Sequence, residues 1–317
     1  MRVVITGVRS RTHLIHIAAY LRHQLTAGES LQVSYVGGAS GSIGRASVTE
    51  SDVRAFLPQD GALELEITGS EAYDAPGDLT YVSVGAPGIK PWVSMRRNGI
   101  RRSITTVVTD EGIGTYGDWR TRRDAWRRQG VPEPWRSVRA VAVETAAHTL
   151  TTTRWAMYDE TDAWSLQPDI AAEFRRHSDG ATPDPEDDRV VYLSSPWIEL
   201  GVLSQDAYLQ HLRDVAGDVA AVGKRLVVRP HPGEDPARYA EWEVIDGPLA
   251  AELDPRVISA SGAVGGTSTA LLNLAALYKM AAQRVVIPGL EHLETGLGSR
   301  QRALFDRFVP AVVGAGG

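Results

Sequence analysis

The sequence predicts an α/β protein with two consecutive domains. The chain has 317 residues, which exceeds the usual size of one compact domain. Short β-branched segments alternate with longer helical patterns, as in proteins built on parallel sheets. Residues 178–189 are polar and rich in proline and acidic residues, which is typical of a linker between two such series.

The first series contains four predicted strands and one clear helix. The strands are RVVITGV, LQVSYVG, LTYVSVG and finally ITTVV (Ile104–Val108), which is expected to close the series. HLIHIAAYLRHQL (His13–Leu25) has the spacing of an amphipathic helix. The segment Asp118–Ala140 mixes tryptophan with many arginines. It is either a charged helix that packs its tryptophans inward, which the pattern favours, or a surface for an acidic acceptor or membrane phospholipid.

The second series repeats the alternation. Its predicted strands are VVYLSS, the first part of RLVVRPHP (a strand followed by a turn), the first part of PRVISASGAVGGTSTALLNLAALY and the last strand RVVIPG. Its predicted helices are QDAYLQHLRDVAGDVAAVG, the second part of the long segment, and SRQRALFDRFV. We therefore expect domains over residues 1–183 and 189–300, with a closing helix within residues 301–317.

Composition narrows the functional classes. Hydrophobic residues make up 43% of the chain and charged residues 23%, which is ordinary for a soluble globular protein. The net charge of −6 does not suggest a nucleic-acid partner. The absence of cysteine excludes disulfides, thiolate metal sites and cysteine nucleophiles. MRVVITGV lacks the features of a signal peptide and no segment is apolar enough to span a bilayer, so a cytoplasmic protein is expected.

Three segments directly follow predicted strands, where parallel sheets bind their ligands. The first is TDEG, with the adjacent acids Asp110 and Glu111. A carboxylate beside a like charge can have the raised pKa that a general base requires, and Gly112 allows close approach of a ligand. The alternative is a turn with an acidic helix start, which the motif alone favours.

The second segment is RPHP, in which prolines flank His231. Its imidazole could bind a phosphate and donate a proton to a leaving group. Equally, it could cap a turn and pair with Glu234. The glycine-rich segment GGASGSIGRA (Gly37–Ala46) lacks the G-x-G-x-x-G spacing of a dinucleotide-binding loop.

The third segment is GGTST, which leads into an apolar helix. Gly266 precedes the three hydroxyl residues Thr267, Ser268 and Thr269. Free N–H groups at a helix start, together with adjacent hydroxyls, make a good phosphate site. Taken singly, ordinary N-capping by serine or threonine accounts for the motif as well.

In this order and placement the motifs TDEG, RPHP and GTST resemble those of the bacterial sialyltransferases. DEGIGTY with the Arg/Trp-rich segment after it is most similar to the polysialyltransferase and lipooligosaccharide sialyltransferase group. The resemblance implies the GT-B architecture, two Rossmann-like domains with parallel sheets facing a central cleft. It also implies an inverting transfer of sialic acid from CMP-sialic acid to a glycan hydroxyl, with neither metal nor cofactor.

The resemblance also implies roles for individual residues. Asp110 would be the general base, with Glu111 as a less certain neighbour. His231 would bind the CMP phosphate and assist its departure. Ser268 and Thr269 would bind the same phosphate, with help from Thr267. Two serines are common in the family where this chain has Ser268 and Thr269, and both residues supply a hydroxyl.

Further positions are expected around the substrates. Those expected to contact the nucleotide are Ser194, Ser195, Glu252 and Gly266. Those expected to shape the acceptor site are Arg9, His13, Gly112 and Tyr116. The expected acceptor is a glycan or lipid-linked glycan, with peripheral contact to the inner membrane face. The motifs leave open the acceptor, the linkage and the oligomeric state.

Three alternatives stay open at this stage. The donor could carry another CMP-activated ulosonic acid, such as Kdn or Kdo. The enzyme could be an epimerase or a UDP-sugar transferase of the same architecture. The chain could also be a non-catalytic glycan-binding protein that retains the fold.

Overall fold

A computed structural model describes residues 1–37, 48–99, 101–128 and 130–310. Most of the glycine-rich segment Gly37–Ala46, from residue 38 onwards, and the end of the predicted closing region, residues 311–317, lie outside the described residues. The described chain divides into two compact units, the first ending at Glu173 and the second beginning at Phe174.

The first unit contains a sheet of six parallel strands. They are β1 (Arg2–Thr6), β2 (Leu31–Val36), β3 (Leu63–Thr68), β4 (Leu79–Val84), β5 (Ile104–Thr109) and β6 (Thr153–Trp155). Their order in the sheet is β3-β2-β1-β4-β5-β6. The central strands β1 and β4 are the core of this sheet: Val3, Val4 and Ile5 of β1 have no exposed surface, and all six residues of β4 are buried. A short antiparallel pair, β7 (Tyr158–Asp159) and β8 (Ser165–Leu166), follows.

Helices connect these strands as in a Rossmann-like domain. They are α1 (Arg11–Thr26), α2 (Glu50–Phe56), α3 (Ile89–Arg97), α4 (Trp119–Arg128), α5 (Trp135–Leu150) and α6 (Pro168–His177). α1 begins at its N-cap Ser10, whose hydroxyl accepts a hydrogen bond from the His13 amide. α6 contains the boundary between the two units.

The second unit contains a sheet of five parallel strands. They are β9 (Arg189–Leu193), β10 (Arg225–Arg229), β11 (Glu243–Val244), β12 (Gly262–Gly265) and β13 (Ala281–Arg284). Their order is β11-β10-β9-β12-β13. The helices are α7 (Gln205–Ala221), α8 (Pro255–Ile258), α9 (Thr269–Tyr278), α10 (Glu291–Thr295) and α11 (Ser299–Phe308).

The α/β fold class with two parallel sheets is confirmed, and so are most predicted elements of the first unit. One prediction there is wrong: ITTVV does not close the series, because the three-residue strand β6 pairs with β5 beyond it. Strand β3 was not predicted, although its segment LELEIT alternates apolar and polar residues; it pairs with β2 along its full length.

Two predicted strands of the second unit are wrong. PRVI, at the start of the long segment, forms helix α8, because Asp254 caps it and Pro255 occupies its first position. The last strand is Ala281–Arg284, so RVVIPG overlaps it only at Arg284. This strand pairs with β12, and Gly262 there leaves room for the Ala281 carbonyl.

The polar segment 178–189 is tied to the second unit. The Asp184 amide donates to the Ser259 carbonyl over 3.2 Å. The Lys224 ammonium donates to the Pro185 and Asp187 carbonyls over 3.0 and 2.7 Å. The division between the units falls before this segment, at residues 173 and 174.

Each sheet has one point where the strand order reverses. In the first unit it lies between β1 and β4, and in the second between β9 and β12. Parallel sheets bind ligands at the carboxyl ends of the strands beside such a point. Among the residues that the structure describes, no helix combines the length and apolar character needed to cross a bilayer.

Candidate active site

Asp110 follows β5 directly, next to the strand pair at the switch point of the first sheet. Its side chain is 2% exposed. One carboxylate oxygen, Oδ2, accepts hydrogen bonds from the Tyr116 hydroxyl over 2.5 Å and from the Met157 amide over 2.7 Å. The other oxygen, Oδ1, is covered from solvent and has no hydrogen-bond partner. The carboxyl group is therefore held by one oxygen while the other is unpaired.

Burial raises the pKa of Asp110. Hydrogen bonds from Tyr116 and Met157 act in the opposite direction, as does the charge of Arg154. Since Oδ2 already accepts two donors, a proton bound by this carboxyl group belongs on Oδ1. The arrangement fits a group that takes up a proton at one defined atom.

Tyr116 orients Asp110, and its own hydroxyl is fixed in turn. That hydroxyl accepts a hydrogen bond from the Tyr158 amide over 3.0 Å. The guanidinium of Arg154 lies 5.3 Å from the Tyr116 ring centroid and donates to the Thr115 carbonyl over 2.9 Å. The sequence predicted Tyr116 as an acceptor contact. In the structure its side chain is 2% exposed and contacts the predicted base.

Glu111 has surroundings quite unlike those of Asp110. Its side chain is 45% exposed and lies 3.8 Å from a guanidinium nitrogen of Arg9. Its amide donates to the Thr115 hydroxyl over 2.8 Å, which holds the turn after β5. The adjacent acids are thus separated into one buried and one solvated carboxylate.

His13 connects the start of α1 to the same turn. Its Nδ1 accepts a hydrogen bond from the Arg9 amide over 3.1 Å, and its ring bonds to the Glu111 backbone. Burial lowers the pKa of His13 to about 4 and that of His16 to about 3. His13 is therefore neutral at physiological pH and supplies no charge to an acceptor.

These two histidines predict how stability changes with pH. Because their pKa values are lower in the folded chain than the ordinary 6.5, the unfolded chain takes up protons that the folded chain does not. The free energy of unfolding should fall as the pH drops from 6.5 to about 4, by about 1.4 kcal/mol per pH unit for each histidine.

The substitution His13→Gln should remove one of the two contributions. Urea unfolding of the wild type and the variant across this range would measure the two slopes. Identical slopes would contradict the assignment of His13 as a buried neutral group.

Glycines lie just beyond the carboxyl ends of three neighbouring strands of the first sheet, directly after β1 and β4 and three residues after β5. Gly7 after β1, Gly85 after β4 and Gly112 after β5 have φ values of +81°, +73° and +110°. These are conformations that glycine adopts more readily than other residues. A Cβ atom at Gly85 would fall against the Glu111 carboxylate and within 3.0 Å of the Glu111 Cβ. Gly85 therefore leaves the space that the turn carrying Asp110 and Glu111 occupies.

We expect Gly85→Ala to lower the free energy of unfolding by about 2–3 kcal/mol, from a left-handed backbone and the contact with Glu111. Gly77→Ala is the matched control, since Gly77 has a φ of +83° and no heavy atom within 4 Å of its added Cβ. It should cost about 1 kcal/mol. If chemical denaturation shows the same loss of unfolding free energy in both variants, Glu111 moves aside without cost.

His231 follows β10 in the second unit and is partly buried. Its Nδ1 accepts a hydrogen bond from the Gly233 amide over 3.1 Å. A neutral imidazole that accepts at Nδ1 carries its proton on Nε2. Burial lowers the pKa of His231, while the charge of Glu199 acts in the opposite direction. The neutral ring therefore presents Nε2–H as its donor.

Glu234 fixes the turn that carries His231. It is buried, and one carboxylate oxygen accepts hydrogen bonds from the His231 amide over 2.8 Å and from the Ser194 hydroxyl. The other oxygen accepts from the Tyr239 hydroxyl over 2.7 Å. Burial raises the pKa of Glu234, and these three donors oppose the shift. Glu234 thus binds the backbone of His231 and leaves the imidazole to its bond with Gly233.

Ser268 occupies the N-cap position of α9, yet its side chain makes no capping hydrogen bond. By contrast, Ser204 caps α7 by accepting from the Ala207 amide. The first N–H groups of any helix have no partner within the helix. The Ser268 hydroxyl, beside Thr267 and Thr269, therefore stands at a helix start suited to an anion. Ser268 therefore does not cap α9 through its side chain, and the phosphate-binding role of the GGTST segment stays a prediction.

Ser194 and Ser195 follow β9, which lies between β10 and β12. The Ser194 hydroxyl accepts a hydrogen bond from the His231 amide over 2.9 Å, and the Ser195 amide donates to the Tyr208 hydroxyl over 3.1 Å. Glu252, predicted as a ribose contact, is 4% exposed and accepts a hydrogen bond from Asn273 over 3.2 Å. Its role toward a ribose stays a prediction.

The sequence matches no protein-family model and no curated protein. Solved structures give the comparison. A sialyltransferase from Photobacterium damsela has a TM-score of 0.53 at 11% identity, covering 98% of this chain and 81% of that one. An α/β-galactoside α-2,3-sialyltransferase from Photobacterium phosphoreum has 0.50 at 9%, covering 99% and 98%. The glycotransferase of kitacinnamycin has 0.52 at 11%, covering 98% and 86%.

The chain has the GT-B fold. The sialyltransferases and the kitacinnamycin glycotransferase are equally similar to it, so the GT-B likeness does not select a donor. Within the described parts of this GT-B chain, no three His, Cys, Asp or Glu side chains cluster in a way that could hold a metal ion.

The structure places further groups at the candidate active site that the sequence did not predict. They are the Met157 amide and Arg154 at Asp110, and Gly85 beside Glu111. Glu234 was considered as a partner of the His231 ring, but it binds the His231 amide instead. Gly85 ends a predicted strand and could have been found from that position. Met157 and Arg154 carry no signal in the sequence, since they reach Asp110 only through the pairing of β5 with β6.

Proposed function

We propose that the protein is an inverting glycosyltransferase that moves sialic acid from CMP-sialic acid to a glycan hydroxyl. The observation that supports this most is the buried carboxyl group of Asp110, held at Oδ2 and unpaired at Oδ1. An unpaired buried carboxylate oxygen is costly to folding, and such costs are typical of catalytic sites. The fold and the order of the three motifs agree with the proposal.

In the proposed reaction Asp110 acts on the acceptor. The acceptor hydroxyl gives its proton to Oδ1 while its oxygen attacks the anomeric carbon of the sugar. The bond between that carbon and the phosphate oxygen breaks, and its electron pair leaves with CMP. Because Oδ1 is covered, acceptor binding has to expose this atom. Glu111 lies at the surface of this turn, and Arg9, which follows β1, lies 3.8 Å from it, so these two side chains would meet the acceptor first.

His231 and the hydroxyl residues act on the donor. Nε2–H of His231 donates a hydrogen bond to the phosphate, which strengthens as the leaving group gains charge. Ser268, Thr269 and the start of α9 bind the same phosphate, with Thr267 beside them. Protein donors thus balance the negative charge of the departing phosphate, and we propose a transfer without a metal ion.

The nature of these donors favours a CMP-activated sugar over a UDP-activated one. The residues that directly follow β9, β10 and β12 include serine, threonine, proline, glycine and histidine, but neither lysine nor arginine. Arg229, at the end of β10, is 5% exposed and donates to the Ile245 and Gly247 carbonyls. Neutral donors suit the single phosphate of a CMP-sugar better than a diphosphate with its greater charge.

A donor panel tests the proposal. The protein is incubated with CMP-Neu5Ac, CMP-Kdn, CMP-Kdo and a set of UDP-sugars, with glycan acceptors and with EDTA present. CMP release and product mass are followed. We expect a sialylated product from CMP-Neu5Ac. Transfer from CMP-Kdn or CMP-Kdo alone would keep the mechanism and change the sugar, whereas transfer from a UDP-sugar alone would contradict it. Glycan binding without turnover of any donor would identify a binding protein.

A further inference from the structure

Helix α5 exposes large apolar side chains along one side. Trp135, Val138 and Val141 are 61%, 53% and 51% exposed, respectively. They are spaced by three residues, so they share one side of the helix. We refer to these three residues as the apolar face of α5. The opposite side of α5, where Ala140 is buried, packs inward, so the apolar face is not required for the core of the first unit.

The hairpin formed by α4 and α5 is positively charged in a chain that is negatively charged overall. Residues 118–150 contain seven arginines and four acidic residues, a net charge of +3 against −6 for the whole chain. Three of the acids already pair with arginines of the hairpin, one of them Asp124, whose carboxylate lies 3.6 Å from the Arg127 guanidinium. Glu144 pairs with Arg122 over 3.1 Å, and Glu133 pairs with Arg136 over 2.6 Å and also with Arg123.

One arginine of the hairpin, Arg139, lies beside the apolar face. Arg139 is exposed and one helical turn beyond Trp135, so the two share a surface. Its guanidinium lies 5.5 Å from the Trp126 ring centroid, and that of Arg120 lies 5.5 Å from the ring of the partly exposed Trp119. Surfaces that lie in a lipid interface typically combine exposed aliphatic side chains with flanking tryptophan and arginine.

We propose that the apolar face of α5 docks on a lipid surface that carries anionic headgroups. Trp135, Val138 and Val141 enter the boundary between headgroups and acyl chains, while Arg139 contacts the headgroup phosphates. A second copy of the chain fits this surface poorly, because self-association would bring two positively charged hairpins together. A glycan fits it poorly as well, since valine offers no hydrogen bond. This inference does not depend on the proposed reaction.

Vesicle sedimentation tests the docking. The full chain is mixed with vesicles of phosphatidylcholine, and with vesicles in which phosphatidylglycerol replaces part of it. We expect binding to the second kind only, weakening as salt is added. The triple variant Trp135→Ser/Val138→Ser/Val141→Ser should bind at least about ten-fold more weakly. The variant Arg139→Gln should bind about five-fold more weakly.

The matched control carries three equivalent substitutions elsewhere. Ile89→Ser/Val93→Ser/Val222→Ser replaces side chains that are 47%, 43% and 73% exposed, and it should bind as the wild type does. Circular dichroism and thermal unfolding would establish that all variants are folded. Undiminished binding by the α5 variant, or equal binding to both kinds of vesicle, would overturn the proposal. So would a concentration-dependent dimer that the α5 substitutions abolish, because the face would then belong to a second copy.

Discussion

Asp110→Asn is expected to lower the rate of sugar transfer about a thousand-fold while leaving the protein at least as stable as the wild type at neutral pH. The asparagine side-chain oxygen can accept the same two hydrogen bonds, from Tyr116 and Met157, that Oδ2 accepts now. Its amide group then replaces Oδ1 and cannot take a proton. The measurement is product formation from CMP-Neu5Ac, paired with urea unfolding of both proteins.

The stability half of this expectation follows from the raised pKa of Asp110. A carboxyl group whose pKa is higher in the folded chain destabilises that chain as the pH rises above the ordinary value of 3.8. Asparagine has no such charge. The difference in free energy of unfolding between the variant and the wild type should therefore be small below pH 3.8 and should grow as the pH rises.

Two controls make the Asp110 result decisive. Glu111→Gln removes the neighbouring, solvated carboxylate and should retain most of the activity. Asp110→Ala removes the acceptor of the Tyr116 and Met157 hydrogen bonds and should destabilise the chain. Full activity in Asp110→Asn, with loss in Glu111→Gln, would transfer the role of base to the exposed neighbour.

The second large effect is expected at His231, where two substitutions separate its two ring nitrogens. In His231→Asn the side-chain oxygen can accept the Gly233 hydrogen bond that Nδ1 accepts now, but no group remains at the Nε2 position. We expect a loss of at least about a hundred-fold in turnover. In His231→Gln the amide nitrogen reaches the Nε2 position, and we expect turnover at least about ten-fold above that of the asparagine variant.

The pH profile adds an independent readout for His231. Because burial lowers the pKa of His231, the ring is neutral at and above pH 6.5 and acts there through Nε2–H. Turnover should therefore not fall as the pH rises through the ordinary histidine value. CMP affinity, measured by thermal unfolding, should drop in His231→Asn. Turnover and CMP affinity at the level of the wild type would remove His231 from the donor site.

Local pattern was sufficient for the elements that carry the motifs. The strands before Asp110 and His231 are β-branched and buried, and their boundaries were predicted almost to the residue. The same reasoning failed at PRVI, which contains β-branched residues and is nonetheless helical. Val257 and Ile258 could be buried in a strand or in a helix. The helix forms because Asp254 caps its start and Pro255 occupies its first position.

The short edge strand β6 shows why other parts could not be predicted. Thr153–Trp155 is too brief for a periodic pattern, and it exists because β5 offers a free edge. Its pairing brings the chain back toward Asp110, so that the Met157 amide can bind Oδ2. No local pattern in the sequence predicts that contact.

The sequence by itself determined the α/β class, the two parallel sheets and the location of acid, imidazole and hydroxyl groups after strands, because these follow from spacing along the chain. Only the tertiary structure decided that Asp110 is buried while Glu111 is solvated, and that His231 presents Nε2–H. Burial and hydrogen-bond partners depend on segments distant in sequence, and the burial that those segments provide raises the pKa of Asp110.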